Sequence, residues 1–424
     1  MDMGVVVDLA RRMPLPRMVQ VEQYFDRTAI KDIDGSVRNA LSGPGILDRV
    51  RPGMSIAVTA GSRGISNIAD ILRTIVRVLK EKGAEPFVIP AMGSHGGATA
   101  QGQTEVLASL GITEQSLSCP VCSSMDVKQI GVTFDGRPVQ IDAFAARADG
   151  IVVVNRVKAH TSFTGPVESG LMKMMAIGLA KQAGAEVCHQ EGYAKIADNI
   201  RKYGNAILEN ANILFGTAII ENAFDDTCGI YAVEPDDFEE TETRLLKQSK
   251  KLMPRILFSD IDVLVVDRMG KNISGLGMDP HITGCFASPY ASGPKRPDKL
   301  VVLDLTDETH GNANGIGVAD VTTRRLFEKF DPEATYPNAL TATLTSAVRV
   351  PLVMDNQRLA IQTGIKTAAG FEKEKIRLVR IRDTLSLSRI WISEAILEDA
   401  RNTPGVKVIG NPEPFVFDKE GNLF

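Results

Sequence analysis

Histidine is scarce in this chain, with five in 424 residues. Cysteine is equally rare and odd in number. That density excludes a disulfide framework and fits a reducing compartment. No apolar run approaches the roughly 20 residues needed to span a bilayer. The opening segment Met1–Pro16 lacks the basic-then-apolar order of a secretory signal, so a cytoplasmic location is expected. Neither charge sign is in excess: 48 Lys and Arg face 52 Asp and Glu, a net charge of −4. Such a balance leaves no electrostatic footprint for nucleic acid or a membrane surface. Internal repeats and low-complexity tracts are absent too.

What remains is the composition of a globular protein, 44% hydrophobic and 24% charged. The length predicts two domains, and the charged segment 234–251 before Pro254 marks the division, giving 1–254 and 255–424. Across the first domain, apolar runs at 55–60, 86–91, 149–155 and 211–220 predict strands. They alternate with helical spacing at 65–82, 100–110 and 193–208. This rhythm predicts an α/β fold with largely parallel or mixed sheets covered by helices. The default site is a cleft between the domains. The second domain repeats the pattern, with strands at 261–266, 300–305 and 376–381 and helical character at 318–330, 339–347 and 356–363.

Chemistry gathers where glycine punctuates strand ends. Gly61-Ser-Arg-Gly64 follows the first strand, and a glycine-flanked Arg63 can hold a phosphate or carboxylate in its planar fork. Gly93-Ser-His-Gly-Gly97 presents His95 on an exposed loop, suited to acid–base work near neutrality. Lys158-Ala-His160 follows the next strand and continues to Thr164-Gly-Pro. In open α/β sheets ligands collect at the carboxyl ends of strands. Lys173 lies within an apolar stretch, Leu171–Ala180, where an ammonium is costly unless paired, neutralised or covalently used. On a helix its neighbours are Ser169, Gly170, Ile177 and Ala180. His189 stands beside Cys188 and is a candidate metal ligand. Cys119-Pro-Val-Cys122 is a lone CxxC, and the loop 306–315 reads as a cap or cleft loop. These residues admit a metal or cofactor site with acid–base partners. A zinc-type hydrolase or lyase using His95, His160 and His189, and a cofactor-free binding protein, are the alternatives.

The ordered set Arg63, His95, His160, Lys173 and His189, with 16 residues between the last two, resembles the nickel-pincer lactate racemase family. The resemblance spans roughly residues 50–200. It implies a racemase or epimerase that inverts C2 of a 2-hydroxy acid by proton-coupled hydride transfer through a flat 2-keto acid. The implied cofactor is the nickel-pincer nucleotide, pyridinium-3-thioamide-5-thiocarboxylic acid mononucleotide. Lys173 would carry it by a thioamide link and His189 would bind nickel. His95 and His160 would be the paired acid–bases. Arg63, Ser62, Gly93 and Gly165 would cradle the nucleotide. The proteins that make the pincer become implied partners, and a homo-oligomer is compatible with the sequence.

Two features depart from the lactate enzymes. The segment from His160 to Lys173 is longer. The glutamine and lysine that those enzymes set against the substrate carboxylate have no match here. Lys271, Asn272 and His281 are the substrate candidates in the second half. A divergent subgroup is therefore expected, acting on a 2-hydroxy acid other than lactate, with a sugar acid as the nearest variant.

Overall fold

The computed structural model describes residues 4–62, 64–370 and 372–424. The chain forms two compact units. One is Asp26–Met253; the other joins the segment up to Phe25 to Pro254–Phe424. The expectation of a first domain running from residue 1 is therefore corrected. The first strand, β1 (Met18–Gln23), pairs antiparallel with Arg389–Ser393 on one side and Val406–Glu413 on the other. Its alternation explains the choice: Val19 and Val21 are buried in the apolar core of the C-terminal unit. Buried Gln23 adds a tie, donating to the Leu387 carbonyl (2.8 Å) and accepting from the Leu257 N–H (2.8 Å).

The unit Asp26–Met253 contains β2 (Ser55–Ala60), β3 (Glu85–Pro90), β4 (Val127–Val132), β5 (Pro138–Asp142), β6 (Gly150–Arg156), β7 (Ile213–Glu221) and β8 (Thr227–Val233). The main sheet has the order β3-β2-β6-β7-β8. Its first four strands are parallel and β8 returns antiparallel. Every residue of β7 is buried, which is why the strand reads as an apolar run without alternation. Helix Ile68–Glu81 covers one face through Ile71, Leu72, Ile75 and Leu79. The segment around Met172–Leu179 and helix Ile196–Asn210 cover the other. β4 and β5 form a separate hairpin.

The Cys119–Cys122 pair is resolved by this packing. Pro120–Cys122 runs beside β3, bridging Val121 to Val88. Cys119 enters the core on one face of the sheet and Cys122 packs against the core on the other. Burial also pushes Cys119 up to about 11.

In the other unit, β9 (Val263–Met269), β10 (Lys299–Leu305), β11 (Val321–Thr323), β12 (Leu352–Met354), β13 (Leu378–Ile381), β14 (Arg389–Ser393) and β15 (Val406–Glu413) join β1. The order is β12-β11-β10-β9-β13-β14-β1-β15. β12 to β13 are parallel; β14, β1 and β15 alternate in direction. The helix expected over 318–330 is replaced by strand β11 and the short helix Arg324–Lys329. The β-branched run Val321-Thr-Thr323 prefers the sheet. Thr323 then caps the helix by accepting from the Leu326 N–H at 3.1 Å. The helical signal at 339–347 belongs to helix Pro332–Thr341 and a following tight turn.

Because β1 is an interior strand, Val21→Asp is expected to destabilise the C-terminal unit by roughly 3 kcal/mol or more, through an unpaired buried charge. Chemical denaturation checks this; an unchanged midpoint would contradict the interior placement.

Candidate functional site

Three parallel strands, β2, β3 and β6, end at the same edge, and their loops meet one irregular helical segment. That segment begins as α-helix at Leu171–Lys173 and continues as π-helix over Met174–Leu179. After Ala180 it resumes as α-helix over Lys181–His189. A π-turn inside a helix is uncommon and is found mostly at functional sites. The loop after β2 approaches the Met174 methyl, which would lie 3.2 Å from a Cβ at Gly61. The loop after β3 is tied by the Gly93 N–H to the Gly178 carbonyl (3.2 Å). After β6, the Asn155 amide donates to the Gly170 carbonyl (2.7 Å), at the start of the helical segment.

The His95 loop needs its glycines. Gly93 and Gly96 have φ of +59° and +68°. A Cβ at Gly96 would stand 2.5 Å from the Gly102 backbone. His95 projects into solvent, with Nδ1 2.8 Å from the Met92 carbonyl. A carbonyl cannot donate, so Nδ1 carries the proton and the neutral ring has its acceptor at Nε2. His160 is the reverse. Its Nδ1 accepts the Ser162 N–H at 3.2 Å, so its neutral ring carries the proton at Nε2. The His160 loop is organised by Glu168, whose carboxylate is wholly buried. It accepts from the N–H groups of His160 (2.7 Å) and Gly165 (3.2 Å) and from Lys250 Nζ (2.6 Å). Phe163 stacks on the His160 ring at 4.2 Å. The Gly165 N–H is thus committed to Glu168. A Cβ there would press on Ala197 at 2.8 Å, so this glycine shapes the loop.

His189 ends helix Lys181–His189 with Nδ1 2.6 Å from the Ala185 carbonyl. Its lone pair therefore lies at Nε2. Burial and the Lys173 ammonium hold its pKa below the usual histidine range. The same ammonium acts on Cys188, which burial pushes up to about 12. Lys173 and His189 are thus electrostatic neighbours. Tyr193 links this end to the His160 loop: its ring meets His189 edge-on at 6.1 Å, and its hydroxyl bonds Ser162.

Several expectations need correction. Lys173 is half-buried; the fully buried lysine of this segment is Lys181. Ser169 and Gly170 lie in extended backbone before the helix, and the π-turn changes the spacing that made Ile177 and Ala180 neighbours. Ser62 lies at the end of β2, half-buried, while Arg63 lies outside the described residues. In the other unit, Lys271 and Asn272 follow the carboxyl end of β9. Lys271 Nζ donates to the Gly275 carbonyl (2.7 Å), and Asn272 accepts from the Thr306 hydroxyl (2.7 Å). His281 is not with them. It lines a pocket of about 170 Å³ with Arg255, Phe258–Ile261 and Pro294–Pro297, residues that precede β9 and β10. The loop after β10 forms tight turns, with Asp307 paired to Lys329 at 3.0 Å.

Sequence reasoning missed Glu242. It accepts the Met172 N–H at 2.9 Å, capping the segment that carries Lys173. Its signal was a charged residue on the stripe Phe238, Glu242, Leu245, Leu246, Ser249, where helical spacing calls for an apolar one.

Among the described residues, no three His, Cys, Asp or Glu side chains gather as a metal-binding cluster. A zinc centre built from His95, His160 and His189 is not formed. The donors this segment carries, an imidazole with its lone pair at Nε2 and a lysine amine, fit a metal whose other ligands come from a lysine-bound group.

Residues 58–246 match a family model described as a domain of unknown function, DUF362. No curated protein matches the sequence. The lactate racemase apoprotein from Thermoanaerobacterium thermosaccharolyticum is similar in structure, with a TM-score of 0.53 at 13% identity. That match covers 87% of this chain and 99% of the other. The chain has a lactate racemase-like fold. A Thermotoga maritima protein matches at a TM-score of 0.50 and 11% identity, over 86% of this chain and 99% of its own. Such identities speak for the architecture alone.

Burial pushes the Glu242 carboxyl from 4.5 up to about 7, with Glu239 and Glu168 adding like charge. A raised folded pKa gives stability that is complete below the unfolded value and lost as pH rises through the folded one. Glu242→Gln is therefore expected to be more stable than the parent at pH 8, by on the order of 2–3 kcal/mol. The gain should shrink towards pH 4.5. Urea midpoints across that range check it; a gain independent of pH would contradict it.

Proposed function

We propose that this protein is a nickel-pincer-dependent racemase or epimerase of 2-hydroxy acids. The observation that carries the reading is one helical segment bearing both Lys173 and His189, with the imidazole lone pair turned to Nε2 by the Ala185 carbonyl. The Lys173 amine would hold the nucleotide through a thioamide, and His189 Nε2 would complete the nickel coordination. Ser62 and Arg63, with the close backbone at Gly93, would receive the phosphate. When bound, the pincer supplies a reversible acceptor of hydride from substrate C2.

The chain's own residues supply the protons. His95, with its acceptor at Nε2, suits removal of the hydroxyl proton from one enantiomer. His160, as the imidazolium, would deliver its Nε2 proton to the keto oxygen from another side and return to the neutral ring. The reverse reaction exchanges the roles. The proton that His95 gains and the proton that His160 gives leave the net charge of the pair unchanged. Proteins that build and load the pincer are the partners this reading requires.

The reading is tested with cofactor-loaded protein and a panel of single-enantiomer 2-hydroxy acids deuterated at C2, followed by chiral chromatography. Inversion with deuterium retained in the product is expected. His95→Ala or His160→Ala should slow turnover by roughly 100-fold or more. Washout of the label, or full activity in either variant, would overturn the reading.

A further inference from the structure

Lys181 is wholly buried, and its φ is +54°. A left-handed backbone costs a non-glycine residue roughly 1–2 kcal/mol. It falls at the corner between the π-helix and helix Lys181–His189. That corner matters for the site. In one straight helix, the 16 residues from Lys173 to His189 would span ~24 Å. The turn at Ala180–Lys181 redirects the chain between Lys173 and His189.

The side chain explains why the strain persists. Lys181 Nζ lies 2.5 Å from the Pro90 carbonyl, 3.1 Å from Gln103 Oε1 and 3.0 Å from Asp142 Oδ2. Asp142 is itself wholly buried, and its other oxygen accepts the N–H groups of Phe144 (2.8 Å) and Ala145 (3.0 Å). Gln103, also buried, turns its amide to the other loop. Its Nε2 donates to the carbonyls of Gly93 (2.9 Å) and His95 (3.2 Å). A glycine would relieve the backbone at this corner, but it would leave Asp142, Gln103 and the Pro90 carbonyl without the ammonium they surround.

We infer that Lys181 is a positioning residue. Its ammonium, with Asp142 and Gln103, locks the corner from which the helix carrying His189 departs and fixes the loop that presents His95. It touches no substrate. The inference uses the residues of the proposed site, but its test needs neither cofactor nor activity, so it stands or falls separately from the racemase reading.

The test is long-range ¹H–¹⁵N NMR of the histidine rings in the full chain at one pH, with Lys181→Met and Gln103→Met variants. In the parent, His95 and His189 should report the Nδ1–H tautomer and His160 the Nε2–H tautomer. Lys181→Met is expected to shift both His95 and His189, while His281 and His310, in the other unit, keep their signals. Gln103→Met, which cuts only the link to the loop, should shift His95 and leave His189 in place. A merely structural lysine would lower the unfolding temperature without moving ring signals in the protein that remains folded. Unchanged His95 and His189 signals in folded Lys181→Met would overturn the inference. If that variant does not fold, Gln103→Met decides: an unmoved His95 overturns it and a selective His95 shift supports it.

Discussion

The ammonium of Lys181 is held by a buried carboxylate, a side-chain amide and a backbone carbonyl, at a point where the helix must change direction. Burying a cation in this way is tolerable only because all three acceptors surround it and Asp142 offsets its charge. Around this contact the end of β3, the loop that follows it, the end of β5 and two helical pieces come together. The π-turn over Met174–Leu179 belongs to the same arrangement. Gly178 lies so close to β3 that a Cβ would approach the Ala91 carbonyl at 2.5 Å. The segment is pressed onto the sheet on one side and bent at Lys181 on the other.

That frame leaves the site with few charges and well-defined protons. Each of the three histidines has a backbone partner at Nδ1: Met92 and Ala185 carbonyls for His95 and His189, and the Ser162 N–H for His160. Backbone partners do not titrate, so each tautomer is set by the fold. The carboxylates near the site, Glu168 and Glu242, face inward and hold loop and helix N–H groups. They act as scaffolding, and the imidazoles are left for chemistry near neutral pH.

Much of this was legible in the sequence. The α/β rhythm predicted β2, β3, β6 and β7 to within a few residues, because apolar strands and amphipathic helices carry strong periods. The glycine-flanked loops carrying His95 and His160 stood out for the same reason that they work: a backbone with positive φ or close neighbours needs glycine. What was not legible depends on contacts distant in sequence. Nothing local to Met18–Gln23 shows that it pairs beyond residue 388. Lys173 drew attention because its neighbours are apolar, yet a half-buried stem explains it. Lys181 looked ordinary, since its partners lie 39 residues or more away along the chain, at Pro90, Gln103 and Asp142. The π-turn has no sequence period of its own and emerges only from packing against β3.

In the proposed function, Lys173 is the attachment point of a cofactor whose metal His189 completes. The most direct measurement is the intact mass of the protein expressed alongside the pincer-making enzymes, followed by peptide mapping. The account expects a nickel-containing nucleotide adduct on Lys173. Unmodified Lys173, in cells where a lactate racemase expressed in parallel becomes loaded, would contradict it.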